Sequence, residues 1–269
     1  MYKFFQLLYF SNILTSLTGA ILVFGIIKLL GVEDGGGYPI FIFFAILATY
    51  TYQRWRRYIR LINTTSEHVA WIKSHQYTHL FVFIIGCVGS LFFIINNFQL
   101  CLKLIPWLIL PGIISLWYVH SFFGIILREV PYLKSLLVVF TWLTLVIWIP
   151  AFLFGFSSNL LLLHISVIHF FVLFGILVLF DVRDVEYDSL KIKTLPILIG
   201  VNYGKFLAVY CFSFALLYEM VTECISFEGA IVPILYMLLS FYAKPKGPMW
   251  YFALLDILLG IQGLVYCFM

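Results

Sequence analysis

The feature that most restricts this chain is a repetition. Stretches of about 20 apolar residues return along its whole length, each long enough to cross a bilayer as a helix. Hydrophobic residues fill 64% of the 269 positions and charged residues only 10%, whereas a soluble domain carries about 25% charge. A water-facing surface cannot be assembled from so few polar groups. Inside hydrocarbon every backbone N–H and C=O must find its partner within the protein, and long apolar runs do this as helices. The expected fold class is therefore all-α: a polytopic membrane protein with one transmembrane helical domain over residues 1–269.

Nine spans are expected, at roughly 7–30, 39–56, 77–96, 103–121, 133–151, 160–180, 204–221, 229–242 and 250–268. The first run is too long for the apolar core of a signal peptide and lacks a small-residue cleavage site, so it is kept as a span. Alternating the connections between the two sides separates the charges. Lys3, the arginines at 54, 56, 57 and 60, Lys73, Arg128, Lys134, Arg183, Lys191, Lys193, Lys205, Lys244 and Lys246 fall on one side, and only Lys28 and Lys103 on the other, with Glu33, Asp34, Glu223 and Glu228. By the positive-inside rule the basic side is cytoplasmic, which puts the N-terminus inside and the C-terminus outside. The expected location is a multi-pass position in a bacterial inner membrane, in contact with membrane lipids. Because the basic residues follow membrane topology, no nucleic-acid partner is expected. Cys87, Cys101, Cys211, Cys224 and Cys267 are scattered without a CxxC pair and read as small buried residues.

The run "HISVIHFFVLFGILVLF" (164–180) ends in "DVRDVEYD" (181–188), four acids in eight residues. Continued as a helix, it brings Asp181, Asp184 and Asp188 within about 60° of one another, with Glu186 pointing away. Three carboxylates on one stripe beside a membrane repel each other and resist desolvation, so something positive must face them. Mg²⁺ held against a diphosphate is one answer, since Mg²⁺ takes one or two carboxylates and fills its shell with phosphate oxygens and water. Pairing with Arg183, Lys191 and Lys193 in a solvated helix end is the other.

The segment "DVRDVEYDSLKIKTLPILIG" (181–200) resembles the second aspartate-rich motif of the UbiA family of intramembrane prenyltransferases. The matching residues are Arg183-Asp184, Asp188, Lys193-Thr194-Leu195-Pro196 and Leu198-Ile199-Gly200. More weakly, "LREVPYLKSLLVVFTWLTLVIWIP" (127–150) is similar to the family's connection between its fourth and fifth helices, and Asn12, Thr15 and Ser16 to a polar position in its first. The resemblance implies nine helices with the acidic motifs on the cytoplasmic side. It implies a prenyl diphosphate as donor, a small, lipidic or aromatic acceptor, and Mg²⁺ as cofactor. On these positions it places Asp184, Asp188 and Lys193 as catalytic and Asp181, Asp184 and Asp188 as metal ligands; Gln53, Arg56, Arg57, Arg60, Lys134 and Asn12 are the candidate substrate-binding residues, since a guanidinium fork suits phosphate oxygens.

One departure stands out. The family's first motif, "NDxxDxxxD", belongs at the end of the second helix, where this chain reads "LATYTYQRWRRYIRLINTTSEH" (47–68). Tyr52-Gln53 then stands against the Asn-Asp pair and Arg56 against the next acid. Gln53, Arg56, Arg57 and Arg60 instead form a basic stripe within about 100° of arc, set to face the acidic one. Three functions remain open. The chain is a prenyltransferase whose arginines bind the diphosphate directly. Alternatively it is a relative without that chemistry, lipid-binding or a partner subunit, in which the Arg and Asp stripes neutralise each other. The last reading is a membrane transporter, although no pair of repeated halves is visible. Asp256, inside the last span, requires a partner or a cavity. His164 and His169, five apart, suit interior hydrogen bonds, and His68, His75 and His79 with Glu67 suit a solvated loop and helix start. Trp55, Tyr58 and Trp250 read as interfacial anchors.

Overall fold

A computed structural model describes residues 2–32, 35–60, 67–130, 132–156, 158–186, 192–222 and 229–268. Asp188, Lys191, Cys224, the acids at 33, 34, 223 and 228 and the side chain of Arg60, all used in the sequence reading, lie outside the described residues. Helices follow one another as α1 (Tyr2–Phe10), α2 (Ile13–Leu29), α3 (Tyr38–Arg60), α4 (Glu67–Ser74), α5 (Gln76–Asn96), α6 (Phe98–Trp117), α7 (Leu133–Leu153), α8 (Asn159–Asp184), α9 (Leu195–Ile199), α10 (Val201–Thr222), α11 (Ile231–Ser240) and α12 (Met249–Tyr266). Among the described residues there is no strand, only an isolated bridge between Phe122 and Ile125. The protein is a multi-pass integral membrane protein. Six helices (α5, α6, α7, α8, α10 and α12) are long and apolar enough to cross a bilayer, or seven if α1 and α2 count as one bent span.

The expected stretches each contain a helix, but two of them differ from a plain span. At 23 residues α3 is long enough to cross, yet its last third is charged. At 10 residues, about 15 Å, α11 reaches half the hydrocarbon thickness.

Local chemistry explains the irregular points. Between α1 and α2 the axis turns by 63°, and the turn sits on Asn12, whose φ of 68° is left-handed. Asn tolerates that region better than most residues because its short amide can bond locally. Here the amide Nδ2 donates to Thr51 Oγ1 at 3.2 Å, and the Asn12 carbonyl accepts from Ser16 Oγ at 2.7 Å. The bend is thus tied to α3. In α7 a π-helical turn covers Thr144–Trp148 just ahead of Pro150. Proline removes one N–H and crowds the preceding turn, so the wider turn absorbs it, and the Leu145 carbonyl accepts from Tyr38 Oη at 2.8 Å.

Small residues set the closest helix contacts, as is usual where lipid gives no hydrophobic drive between helices. Gly25 of α2 lies on Gly263 of α12, and a Cβ on either would run into the other helix's backbone. Gly86 of α5 packs the same way against Ala48 of α3. The result is a central α12 and a peripheral α5–α6 pair. The contrast is steep, since 67% of the apolar window of α12 is buried but only 22% and 17% of those of α5 and α6. A groove remains on that loosely packed side.

Candidate functional site

Helices α3 and α8 end side by side, at what is here termed the charged end of the bundle. Arg57 Nη1 donates to Asp184 Oδ2 at 3.4 Å, and Arg183 Nε donates to Asp184 Oδ1 at 2.7 Å. The Arg183 guanidinium lies over the rings of Phe180 and Phe252, 5.0 and 4.8 Å from their centroids, and its Nη1 donates to Tyr9 Oη at 2.9 Å. Aromatic faces and a carboxylate on one guanidinium hold it in a single orientation. One turn earlier on α8, Asp181 is buried against α7. Its Oδ1 pairs with Lys134 Nζ at 2.6 Å and its Oδ2 accepts from Ser135 Oγ at 2.7 Å.

These helix ends enclose a chamber of about 190 Å³. Arg54, Arg57, Arg128, Lys134 and Arg183 line it together with Asp184 and Asp256. Asp256 of α12 accepts from Thr15 Oγ1 of α2 at 2.7 Å, which satisfies an acid that would be costly alone in the membrane. Tyr50, Tyr118, Trp142 and Phe180 supply aromatic wall, with Trp142 Nε1 donating to Tyr50 Oη at 2.8 Å. Five of the lining residues (Tyr50, Gln53, Tyr118, Val138 and Trp142) also line a larger groove of about 420 Å³ between α3, α6 and α7. That groove is apolar, walled by Ala45, Ile46, Leu108, Leu137, Leu145 and Val146 among others. Gln53 stands at the junction, with Nε2 donating to the Ser115 carbonyl at 3.3 Å.

A third, smaller pocket of about 90 Å³ lies behind the wall formed by Arg54, Arg57, Arg183 and Asp184, under α4. There Arg54 Nη1 donates to His68 Nε2 at 3.1 Å and to the Tyr9 carbonyl at 3.4 Å. Burial and the neighbouring Arg54 guanidinium hold His68 well below the usual imidazole range, so it accepts this bond as a neutral ring.

The residues singled out from sequence are thus distributed. Gln53, Arg57, Lys134 and Asp184 line the chamber. Asp181 sits behind Lys134, and Asn12 is buried at the α1–α2 bend. Arg56 lines none of the three cavities, and Lys193 is exposed away from them. Asp188 and the Arg60 side chain lie outside the described residues. Arg54 and Arg128, which the sequence marks only as topology charges, face the chamber together with Arg183 of the acidic motif. A signal for Arg54 was present: Tyr50, Gln53, Arg54 and Arg57 follow the i, i+3, i+4, i+7 spacing of one helix face. Of the three acids expected to hold Mg²⁺, Asp184 and Asp181 have both oxygens meeting cations or a hydroxyl, and Asp188 lies outside the described residues. Among the described residues no group of three or more His, Cys, Asp or Glu side chains could hold a metal ion.

Fold and site together define a helical intramembrane protein with a cationic chamber set beside an apolar groove. Two solved structures share that fold across nearly the whole chain. A UbiA homologue from Archaeoglobus fulgidus bound to GPP and Mg²⁺ superposes with a TM-score of 0.59 at 12% identity, over 98% of this chain and 99% of the other. A digeranylgeranylglyceryl phosphate synthase superposes with a TM-score of 0.55 at 14% identity, over 100% of this chain and 98% of the other. The fold is therefore UbiA-like. No family model and no curated protein matches the sequence at a significant level.

Proposed function

We propose that this chain is a divergent UbiA-family prenyltransferase. In this reading it moves a prenyl group from a prenyl diphosphate to a small or lipidic acceptor at the cytoplasmic face of a bacterial inner membrane. The observation that carries the reading is the junction of the two cavities. A chamber lined by five basic side chains shares Gln53, Trp142 and three more residues of its wall with an apolar groove. An anionic head joined to a hydrocarbon tail is the ligand class that satisfies both halves. The GPP of the A. fulgidus homologue belongs to that class.

The proposed chemistry follows from the lining. Arg57, Lys134 and Arg183 bind the diphosphate through charge-assisted hydrogen bonds. The allylic C–O bond breaks, its electron pair leaves with the diphosphate, and positive charge develops on the prenyl carbon. Fixed cations stabilise the departing anion without reorganising, which is the strongest device an enclosed site offers. The faces of Tyr50, Tyr118 and Trp142 suit the allylic cation. The acceptor then forms the new bond to that carbon and releases a proton. Asp184 holds Arg57 and Arg183 in place, and Asp181 holds Lys134.

A second reading, binding of a prenyl or lipid phosphate without transfer, draws on the same ion pairs, because they neutralise part of the chamber. Purified protein incubated with radiolabelled C10, C15 and C20 prenyl diphosphates and an acceptor panel separates the two. Labelled product that is lost in Arg57→Ala and Asp184→Ala supports transfer. Binding with no product from any acceptor supports the second reading.

A further inference from the structure

Helix α4 is too short to cross a bilayer, and its Val69, Trp71 and Ile72 are buried. Phe10 of α1 packs edge-on against the His68 ring at 5.0 Å and against Trp71 at 5.8 Å. These contacts hold the imidazole at the small pocket of about 90 Å³, where its Nε2 accepts from Arg54 Nη1 at 3.1 Å. The Tyr9 carbonyl accepts from the same nitrogen at 3.4 Å. Tyr9 and His68 line the small pocket but not the chamber, whereas Arg54 lines both. Nη1 is therefore turned away from the chamber, and the rest of the side chain lies toward it. A guanidinium is a rigid plane, so fixing one nitrogen also fixes the direction of Nε and Nη2.

The groups that hold Arg54 differ in kind from those that hold its neighbours. Arg57 and Arg183 both donate to the Asp184 carboxylate, which offsets part of their charge. An imidazole and a carbonyl are neutral acceptors, and they orient Arg54 without offsetting its charge. His68 can do this because burial and the neighbouring guanidinium hold it well below the usual imidazole range, which keeps Nε2 unprotonated. A cation already fixed in direction meets an anion without reorganising, and so stabilises it more than a mobile cation would.

We propose that Arg54 is a further diphosphate-binding residue of the chamber and that His68 is its positioning residue, acting from α4, outside the membrane spans. This rests on the prenyl diphosphate reading above and deepens it, since His68 touches only Arg54 and never the substrate. The short helix α4 then contributes to the chamber through one hydrogen bond made on the far side of the chamber wall.

The test is equilibrium binding of geranyl S-thiolodiphosphate, which does not ionise readily, to the full chain in lipid nanodiscs. His68→Ala is expected to weaken binding about tenfold. His68→Phe, which keeps a ring against Phe10 but no acceptor, should weaken it equally, and either variant decides the matter if the other fails to fold. His68→Gln, whose side-chain oxygen is again a neutral acceptor, should bind within about threefold of the parent. Arg54→Ala should cost at least about tenfold. Adding His68→Ala to Arg54→Ala should change the affinity less than about twofold, because His68 acts only through Arg54. Parent-like binding by His68→Ala or His68→Phe, a Gln variant as weak as either, or losses that multiply in the double variant would overturn the inference and leave the prenyl diphosphate reading standing. Absence of binding by the parent would overturn that reading, and the inference with it.

Discussion

Lys134 and Asp181 form the most enclosed ion pair among the described residues, with side-chain exposures of 13% and 4%. Ser135 completes the carboxylate, so its two oxygens are both satisfied. Removing the cation alone strands a buried charge. Lys134→Ala is therefore expected to destabilise the protein by about 3 kcal/mol, whereas Lys134→Ala with Asp181→Asn recovers more than half of the loss. Unfolding in mixed detergent micelles measures both, and equal destabilisation in the single and double variants would contradict the pairing. The half-exposed pair of Lys246 and Glu186 at 2.5 Å is expected to contribute under about 1 kcal/mol on removal. At this scale the sequence was informative about residue types and less so about direction. The acids after Phe180 and the arginines after Tyr52 were visible as a charge reversal in an apolar chain. What they could not show was which faces turn inward. The stripe read from sequence ran through Gln53, Arg56, Arg57 and Arg60, while the chamber takes Tyr50, Gln53, Arg54 and Arg57. That is a rotation of about 60° about the helix axis. Arginines at a helix end snorkel toward water from several faces, so charge alone leaves the rotation open. The close fit of Gly86 on Ala48 and the bond from Asn12 to Thr51 fix it, and both depend on partners far away in sequence.

The pairing of α2 with α12 can be tested by one added side chain. Gly263 of α12 faces the backbone of Ile21 and Leu22 in α2 with no room for a Cβ. Gly263→Leu is expected to force α2 and α12 apart and cost about 3 kcal/mol or more, seen as a loss of monodisperse protein by size exclusion. Near-normal yield and thermal stability would contradict the packing. Gly112 of α6 is the opposite case. It lines the groove, and a Cβ there meets nothing within 4 Å. Gly112→Leu should fold at least as well as the parent, since Leu is the better helix former by up to about 1 kcal/mol. It should also occupy groove volume needed by a long tail. The expected outcome is a preference shifted at least tenfold from C20 toward C10 diphosphates in competition binding. An unchanged preference would place the tail elsewhere. The spans themselves were legible because membrane helices must be apolar and about 20 residues long. The bend at Asn12 and the π turn in α7 were not, since each arises from a backbone conformation that hydropathy does not encode.

For the whole molecule, the decisive property is that one end of the bundle collects the charge while the opposite cavity wall stays apolar. The basic excess at that end makes it the expected cytoplasmic face. An alkaline phosphatase fused after Met269 should therefore be active, and a fusion after Lys244 inactive; the reverse pattern would invert the topology. Fold class could be read from composition because lipid admits so few backbone solutions. The function could not be read as directly, because the same charges build either a substrate site or a closed set of salt bridges. The proposed substrate site draws its support from the arrangement in space: the ion pairs border a chamber instead of filling it, and that chamber shares part of its wall with the groove. The most direct test is a cryo-electron microscopy structure of the protein with geranyl S-thiolodiphosphate. The account predicts the diphosphate within hydrogen-bonding distance of Arg57 and Lys134, with the tail passing Gln53 and Trp142 into the groove between α3, α6 and α7. Density for the ligand on the outer, lipid-facing surface, with Arg57, Lys134 and Arg183 still bonded only to their aspartates, would contradict it.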